Sequence, residues 1–395
     1  MRWSSGLGRN LDLVRGLEEA ASAAVEGLGG AAPDLAVVFI SPTLAGDDGH
    51  LAAALKSHLG DCTWFGCTAA GVIGGGHEVE QEPSVSVTVA TLPDVRVHPF
   101  HLEEHQIPPP LAGDEAWHAL FGVSPDEDPQ FLLIGDPFSF NVERLLGGMD
   151  RVYPQSGKAG GLASGSEEPG QSTLYACGRR FPSGICGVAL TGNVHMDTLV
   201  SQGCRPIGEP MFVTSAERNM LRGLDGNLAI EALKSLYERV EARDQDLMQH
   251  SLFLGIAVSG EASGYGHGDF LIRNVLGADQ GSGSIAIGAL LETNSIVQFH
   301  VRDAEASAED LEQLLRKISG ETPVGSPAGS LLFSCLGRGK HLYGEPDHDS
   351  NALRRHLGPI PLGGFFCNGE IGPIHGSTFL HGYTSAFALF RAKSP

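Results

Sequence analysis

Short, unbroken apolar runs alternate with amphipathic stretches along this chain. DLAVVFIS (34–41), QFLLIGDP (130–137) and SLLFSCLGRG (330–339) each read as a strand buried on both faces. Each is followed by a segment of helical spacing, at 50–59, 141–149 and 350–357. A glycine turn comes next: GCTAAGVIG (66–74), GGLASG (160–165) and GFFCNGEIG (364–372). A further strand closes each unit, SVSVTVATL (84–92), GICGVALTG (184–192) and one within FLHGYTSAFALF (379–390). Gly66, Gly160 and Gly364 open the turns, and Gly71, Gly165 and Gly369 close them. The first and third turns share one more glycine, Gly74 and Gly372. One such match in a glycine-rich chain means little. Three in the same strand–helix context predict one architectural unit used three times.

Between the second and third copies the pattern changes. A helix is predicted from about Asn227, with Leu228, Ala232, Leu233 and Leu236 on one face. Strands are predicted at 251–259, 269–279 and 295–304, with another apolar run at 285–291. A second helix over 308–318 has its start marked by Ser307, Glu309 and Asp310. The turn-rich CRPIGEP places a domain boundary near 204–208, dividing the chain into 1–205 and 206–395. Loops are expected at 101–113 and 260–268. The expected class is α/β (mixed α+β): two domains of mixed sheets flanked by helices, built partly from the repeated unit.

Length and composition sharpen this. A chain of 395 residues with 42% hydrophobic positions supports two cores. Its 54 glycines are about twice the usual share of roughly 7%. A formal charge of −21 argues against nucleic acid and against anionic membrane surfaces as partners. Seven cysteines, an odd number without a CxxC pair, point to a reducing, cytoplasmic setting rather than a disulfide framework or zinc site. The apolar runs fall short of the ~20 residues of a membrane helix. GGLASG is not a nucleophile elbow, and the glycine turns lack the Lys-Ser/Thr of a phosphate loop, so no enzyme is expected.

The best polar constellation lies in the C-terminal half. Arg273, Arg302 and Arg338 sit at or near strand ends, and a guanidinium fork suits a carboxylate ligand. Glu370 suits a ligand amine, and Asn368 donates or accepts beside it. The rival reading is a structural network in which Arg338 or Arg302 pairs with Glu370 or Asp303. Cys335 and Cys367 lie in two of these motifs, as core residues or as a nucleophile or redox sensor. Thr68 and Ser164 align with Phe366 and Asn368 and line an equivalent pocket, or satisfy their own turns. Of sixteen histidines, His300 and His381 are the haem-ligand candidates, and no metal-ligand spacing occurs.

These residues resemble the FIST family over nearly the whole chain. EPMFVTSAERN, DFLIRNVLGAD, VQFHVRDA, LLFSCLGRG, PLGGFFCNGEIGP and LHGYTSAFALF follow the order of its C-terminal region. DLAVVFIS, GCTAAGVIGG and GGLASG carry the N-terminal match. The resemblance implies a sensory, signal-transducing protein that binds a small ligand, with amino acids the proposed class. It also brings a second reading, a haem-based nitric oxide sensor. Fused output modules of other members have no room here, so output is expected through a separate signalling protein or a homo-oligomer.

Overall fold

The computed structural model describes residues 1–110, 112–258, 265, 266, 268–321 and 327–393. The chain forms two compact units. The first takes Met1–Val200, Glu312–Leu380 and Ser385–Pro395; the second takes Ser201–Leu311 and His381–Thr384. This differs from a cut into 1–205 and 206–395: the first unit uses both ends of the chain.

The first unit is the repeat, used three times. Copy one runs β1 (Arg2–Gly8), α1 (Leu13–Gly27), β2 (Leu35–Ile40), α2 (Leu51–Leu59), β3 (Thr63–Thr68), a hairpin of β4 (Gly71–Gly74) and β5 (His77–Glu80), and β6 (Val85–Thr91). Copy two runs β7 (Val95–Leu102), α3 (Asp114–Phe121), β8 (Gln130–Gly135), α4 (Val142–Val152), β9 (Lys158–Leu162), a hairpin of β10 (Leu174–Ala176) and β11 (Arg179–Phe181), and β12 (Ile185–Gly192). Copy three opens with β13 (His195–Gln202) before the chain enters the second unit.

In the second unit, β14 (Cys204–Glu217), β15 (Met220–Leu224), β16 (Asn227–Leu228), α5 (Ala229–Arg239), α6 (Ala242–His250), β17 (Leu252–Ala257), β18 (Phe270–Asp279), β19 (Ser284–Ile287) and β20 (Ile296–Arg302) precede α7 (Ala304–Glu321). The strand order β14-β20-β17-β18-β19-β15, with β15 pairing back to β14, closes a barrel. Val213, Leu221, Leu254, Ile285, Val297 and Phe299 fill its core. The segment predicted as a domain linker is the first part of β14. Its register slips between Ile207 and Met211, and a bulge with Pro206, Gly208 and Pro210 reads locally like a turn. α7 starts before Ser307: Asp303 Oδ1 accepts from the N–H groups of Glu305 (3.1 Å) and Ala306 (3.3 Å) and caps it. The loop predicted at 260–268 lies largely outside the described residues.

Copy three then resumes with β21 (Gly329–Cys335), α8 (Lys340–Tyr343), α9 (His348–Leu357), β22 (Leu362–Cys367), a hairpin of β23 (Glu370–Ile374) and β24 (Ser377–His381), and β25 (Thr384–Arg391).

Three sheets have the same order: β1-β6-β2-β3, β7-β12-β8-β9 and β13-β25-β21-β22. In each, the last two strands, β2 and β3, β8 and β9, and β21 and β22, are parallel. Each sheet is completed by a hairpin from another copy: β10 joins β3, β23 joins β9, and β4 joins β22. The exchange is cyclic, so no copy has a complete sheet without its neighbours. One face of each sheet meets a shared core that includes Val37, Phe39, Leu132, Ile134, Leu331 and Phe333. The other faces of β2 and β8 pack on helices, with Val38 against Leu17 and Leu55, and Leu133 among Trp117 and Met149.

The opening glycines lie inside the strands, not in turns. Gly66 pairs with Val38, Gly160 with Leu133 and Gly364 with Leu332, at one register. A Cβ on Gly66 would stand 1.7 Å from the Val38 carbonyl oxygen. On Gly160 it would stand 1.8 Å from that of Leu133, and on Gly364 1.9 Å from that of Leu332. Gly160 and Gly364 also have positive φ, 157° and 146°. The repeat in the sequence is thus a repeated steric demand.

Gly364→Ala is therefore expected to cost more than about 3 kcal/mol. Gly147→Ala, on α4 with nothing within 4 Å of the added Cβ, should gain roughly 0.5–1 kcal/mol. Urea unfolding of the two variants checks this; a Gly364→Ala cost in the range of a surface change would refute the steric account.

Candidate functional site

Exchange of the first hairpin carries β5 onto the third copy, near the carboxyl end of β21. There it meets the turn and helix that follow β21. Glu78, from β5, is buried and its Oε1 accepts from Ser350 N–H (2.7 Å) and Oγ (2.8 Å). Its own N–H donates to Asp347 Oδ1 at 2.6 Å, and His77 Nδ1 lies 2.9 Å from Asp347 Oδ2. Glu80 Oε1 accepts from the Lys340 N–H at 2.8 Å. These contacts join residues about 270 positions apart, for example Ser350 and Glu78.

Behind them lies a buried ion pair. Arg338 is fully buried, and its Nε (3.0 Å) and Nη2 (3.3 Å) donate to the two oxygens of Asp349. Asp349 also accepts from Ser385 Oγ at 2.5 Å and meets His348 Nδ1 at 2.9 Å. The Arg338 guanidinium sits over the Tyr343 ring, 5.6 Å from its centroid. Burial alone would raise the Asp349 carboxyl, but the Arg338 charge and its hydrogen bonds hold it well below the usual carboxylate range. Burial would lower Arg338, and the Asp349 charge more than reverses this. Among the described residues Glu78 has no such cation paired with it. Burial, with the Asp349 charge beside it, pushes its carboxyl up to about 8. Glu80 is also raised, by burial.

A cleft of about 610 Å³ opens in front, lined by Arg9, His77, Glu78, Glu80, Lys340 and Asp347 among others. It presents carboxylates and cations side by side, at the carboxyl end of a parallel strand pair, where open α/β sheets bind ligands. Sequence reasoning missed Glu78, Glu80, Asp347 and Asp349. Only the exchange of a short hairpin brings them together, and nothing local in GGGHE marks it.

The predicted site residues fall in both units. Arg338 is present, but two of its nitrogens are committed to Asp349, a partner the sequence reading did not name. Ser164 Oγ donates to the Phe366 carbonyl and accepts from the Ala70 N–H (3.0 Å). Thr68 Oγ1 accepts from the Thr173 N–H (3.0 Å), and Asn368 Nδ2 donates to the Ala163 carbonyl (3.1 Å). These three side chains tie one copy to the next. Glu370 is buried on β23 and pairs in register with Gly161. Cys335 ends β21, and its carbonyl accepts from the Arg338 N–H at 2.8 Å. Cys367 is fully buried; burial and then the Glu370 charge push its thiol well above its ordinary value, which opposes a nucleophilic thiolate.

In the second unit, Arg273 Nη1 donates to the Ile272 carbonyl at 3.1 Å. Arg302 lies over the Tyr383 ring at 5.2 Å, and its Nε and Nη2 have no hydrogen-bond partner among the described residues. Asp303, the partner considered for Arg302, is bonded instead by Arg205 (2.7 Å) and Arg243 (3.1 Å). His300 does not fit a haem ligand. It is buried, its Nδ1 lies 3.0 Å from the Gln298 carbonyl, its ring meets Phe270, and Gly255 is so close that a Cβ there would lie 2.5 Å from Cε1. His381 is buried as well. Among the described residues no cluster of three His, Cys, Asp or Glu side chains could hold a metal ion, and no helix is long and apolar enough to cross a membrane.

The chain belongs to the FIST family. The family model for the FIST N domain matches residues 34–227 and that for the FIST C domain residues 229–373. FIST regions are associated with sensory and signal-transducing proteins. An uncharacterized protein of Mycobacterium tuberculosis is 37% identical over 99% of this chain and 100% of its own length. One of Mycobacterium bovis is 34% identical over 99% of both chains. The crystal structure of a cyanuric acid hydrolase from A. caulinodans aligns over all of both chains with 9% identity and a TM-score of 0.34, too weak a likeness to bear on fold or function.

Two measurements follow. Asp349→Ala strands the Arg338 charge and should cost about 3–5 kcal/mol in a urea melt; a loss below 1 kcal/mol, on the scale of exposed ion pairs, would contradict a buried, committed pair. The folded chain keeps on Glu78 a proton that the unfolded chain releases between 4.5 and about 8, so this group's contribution to stability falls as pH rises through that window. Glu78→Gln should remove that slope, and unchanged pH dependence of the melting temperature would count against the assignment.

Proposed function

We propose that this chain is a small-molecule-binding sensory protein. Its ligand is an amino acid or a related carboxylate, held in the cleft beside β5 and Lys340, and its signal passes to a separate partner protein. The observation that carries this reading is the mixed charge of the cleft. Glu80 and Asp347 suit an ammonium group, while Lys340 and Arg9 suit a carboxylate, all on one lining. A zwitterion matches both signs, whereas a simple anion or cation leaves one set unpaired. The buried Arg338–Asp349 pair behind the lining supports the geometry and does not itself touch the ligand. This shifts the ligand contacts from Arg338 and Glu370 to the exchanged hairpin and the turn before α9. A ligand that draws Glu80 and Lys340 together holds β5 against the third copy, which gives binding a structural consequence.

The test is a thermal shift against a panel of amino acids and organic acids. A ligand at 100 times its Kd adds about 2.7 kcal/mol. At least one panel member should raise the melting temperature, and Lys340→Ala should abolish the rise. If no compound stabilises the protein, or the rise survives Lys340→Ala, the assignment fails.

A further inference from the structure

The buried carboxyl that the exchanged hairpin brings to the cleft is only half used. Glu78 is 6% exposed and lines the cleft. Its Oε1 takes both bonds from Ser350, the N–H at 2.7 Å and the Oγ at 2.8 Å. Its Oε2 has no hydrogen-bond partner among the described residues, yet it is not one of the sealed polar atoms, so it opens on the cleft. The acids beside it are more fully engaged. Asp347 gives one oxygen to the Glu78 N–H (2.6 Å) and the other to His77 Nδ1 (2.9 Å). Glu80 gives its Oε1 to the Lys340 N–H (2.8 Å).

A carboxylate this buried needs a cation, as Asp349 has Arg338. Glu78 is surrounded differently. Its own strand places His77 and Glu80 on either side of Val79. From the third copy it faces Asp347 and Asp349, whose charges oppose its ionisation. His348 turns to Asp349 instead. Arg9, Lys340 and Glu82 border the same space, and neither of these two cations is paired with Glu78. Glu78 therefore keeps a proton up to about pH 8 in place of a cation. A ligand ammonium that reaches Oε2 supplies both the missing donor and the missing charge.

We propose that Glu78 Oε2 is the seat of the ligand's ammonium group, and that the ligand displaces the Glu78 proton when it binds. The Glu78 O–H bond breaks and its proton leaves to solvent. The ammonium keeps its own hydrogens and donates one to Oε2. This deepens the amino-acid reading and rests on it: the ligand carboxylate still meets Lys340 and Arg9, while the ammonium sits deeper than Glu80 and Asp347. The bound state holds Glu78 ionised and the free state holds it protonated. Affinity therefore rises with pH up to about 8 and levels above it.

Calorimetric titration of the full chain with each common α-amino acid tests the proposal, in phosphate and in Tris, whose ionisation enthalpies differ. For an amino acid that binds, Kd should tighten about tenfold from pH 6 to pH 7 and level above about pH 8. The heat should differ between the buffers by the release of about one proton at pH 7. The α-hydroxy acid with the same side chain should bind at least about tenfold more weakly. Glu78→Gln should weaken binding at least about tenfold and remove both the pH and the buffer dependence. His77→Gln should keep both, which excludes the neighbouring imidazole as their source. The buffer dependence of the unmodified chain decides the matter should Glu78→Gln not fold. Binding without proton release, binding that weakens as pH rises, or an unchanged pH slope in Glu78→Gln overturns the proposal and leaves the amino-acid cleft standing. Absence of binding by every α-amino acid overturns both.

Discussion

The first unit rests on a close approach between parallel strands that only glycine permits. At Gly66, Gly160 and Gly364 a single Cβ would stand within 2 Å of a carbonyl oxygen on the neighbouring strand. The same register is met from the other side by a strand from a different copy: Tyr175 opposite Gly66, Ile371 opposite Gly160 and Ile73 opposite Gly364. Each glycine is therefore held between two strands of different origin. The exchange of hairpins is cyclic, so the second copy completes its sheet only with the third present, and the third only with the first. That is why the unit takes segments from both ends of the chain, with the barrel inserted between β13 and β21.

The exchange also explains the chemistry. A hairpin that leaves its own copy carries its polar residues to a foreign strand end. On the third copy it delivers His77, Glu78 and Glu80 to a turn that already holds Lys340, Asp347 and the Arg338–Asp349 pair. A buried ion pair is weak support for stability in itself, because desolvation offsets much of its attraction. Its four-fold satisfaction here, by Arg338 twice, Ser385 and His348, fixes the helix start that the cleft depends on. Glu78 lacks such compensation and keeps its proton near neutral pH instead.

Much of this fold was legible in the sequence. The strands β2, β8 and β21 are buried on both faces, which leaves an unbroken apolar run that cannot be mistaken for a solvated surface. The glycines aligned because sterics allow nothing else. The hairpins were not legible: GVIG and HEVE are four residues each, and their partners lie in another copy. The start of β14 read as a linker because a bulge uses the same residues as a turn. The importance of Arg338 was visible from its place after a buried strand, but it was expected to meet a ligand carboxylate or, in the rival reading, Glu370 or Asp303, and it pairs with Asp349. Asp349 was hidden because it sits inside a helix, where an acid ordinarily faces solvent. Thr68, Ser164 and Asn368 were legible as special turn positions, and the structure gives them the role of tying copies together.

Hydrogen exchange with a millimolar mixture of amino acids tests the central claim most directly, because it locates the effect on the backbone. Binding in the proposed cleft predicts slower exchange over β5 and the 339–347 turn, with the barrel unchanged. Protection confined to the barrel, or none in a mixture that raises the melting temperature, would contradict the account.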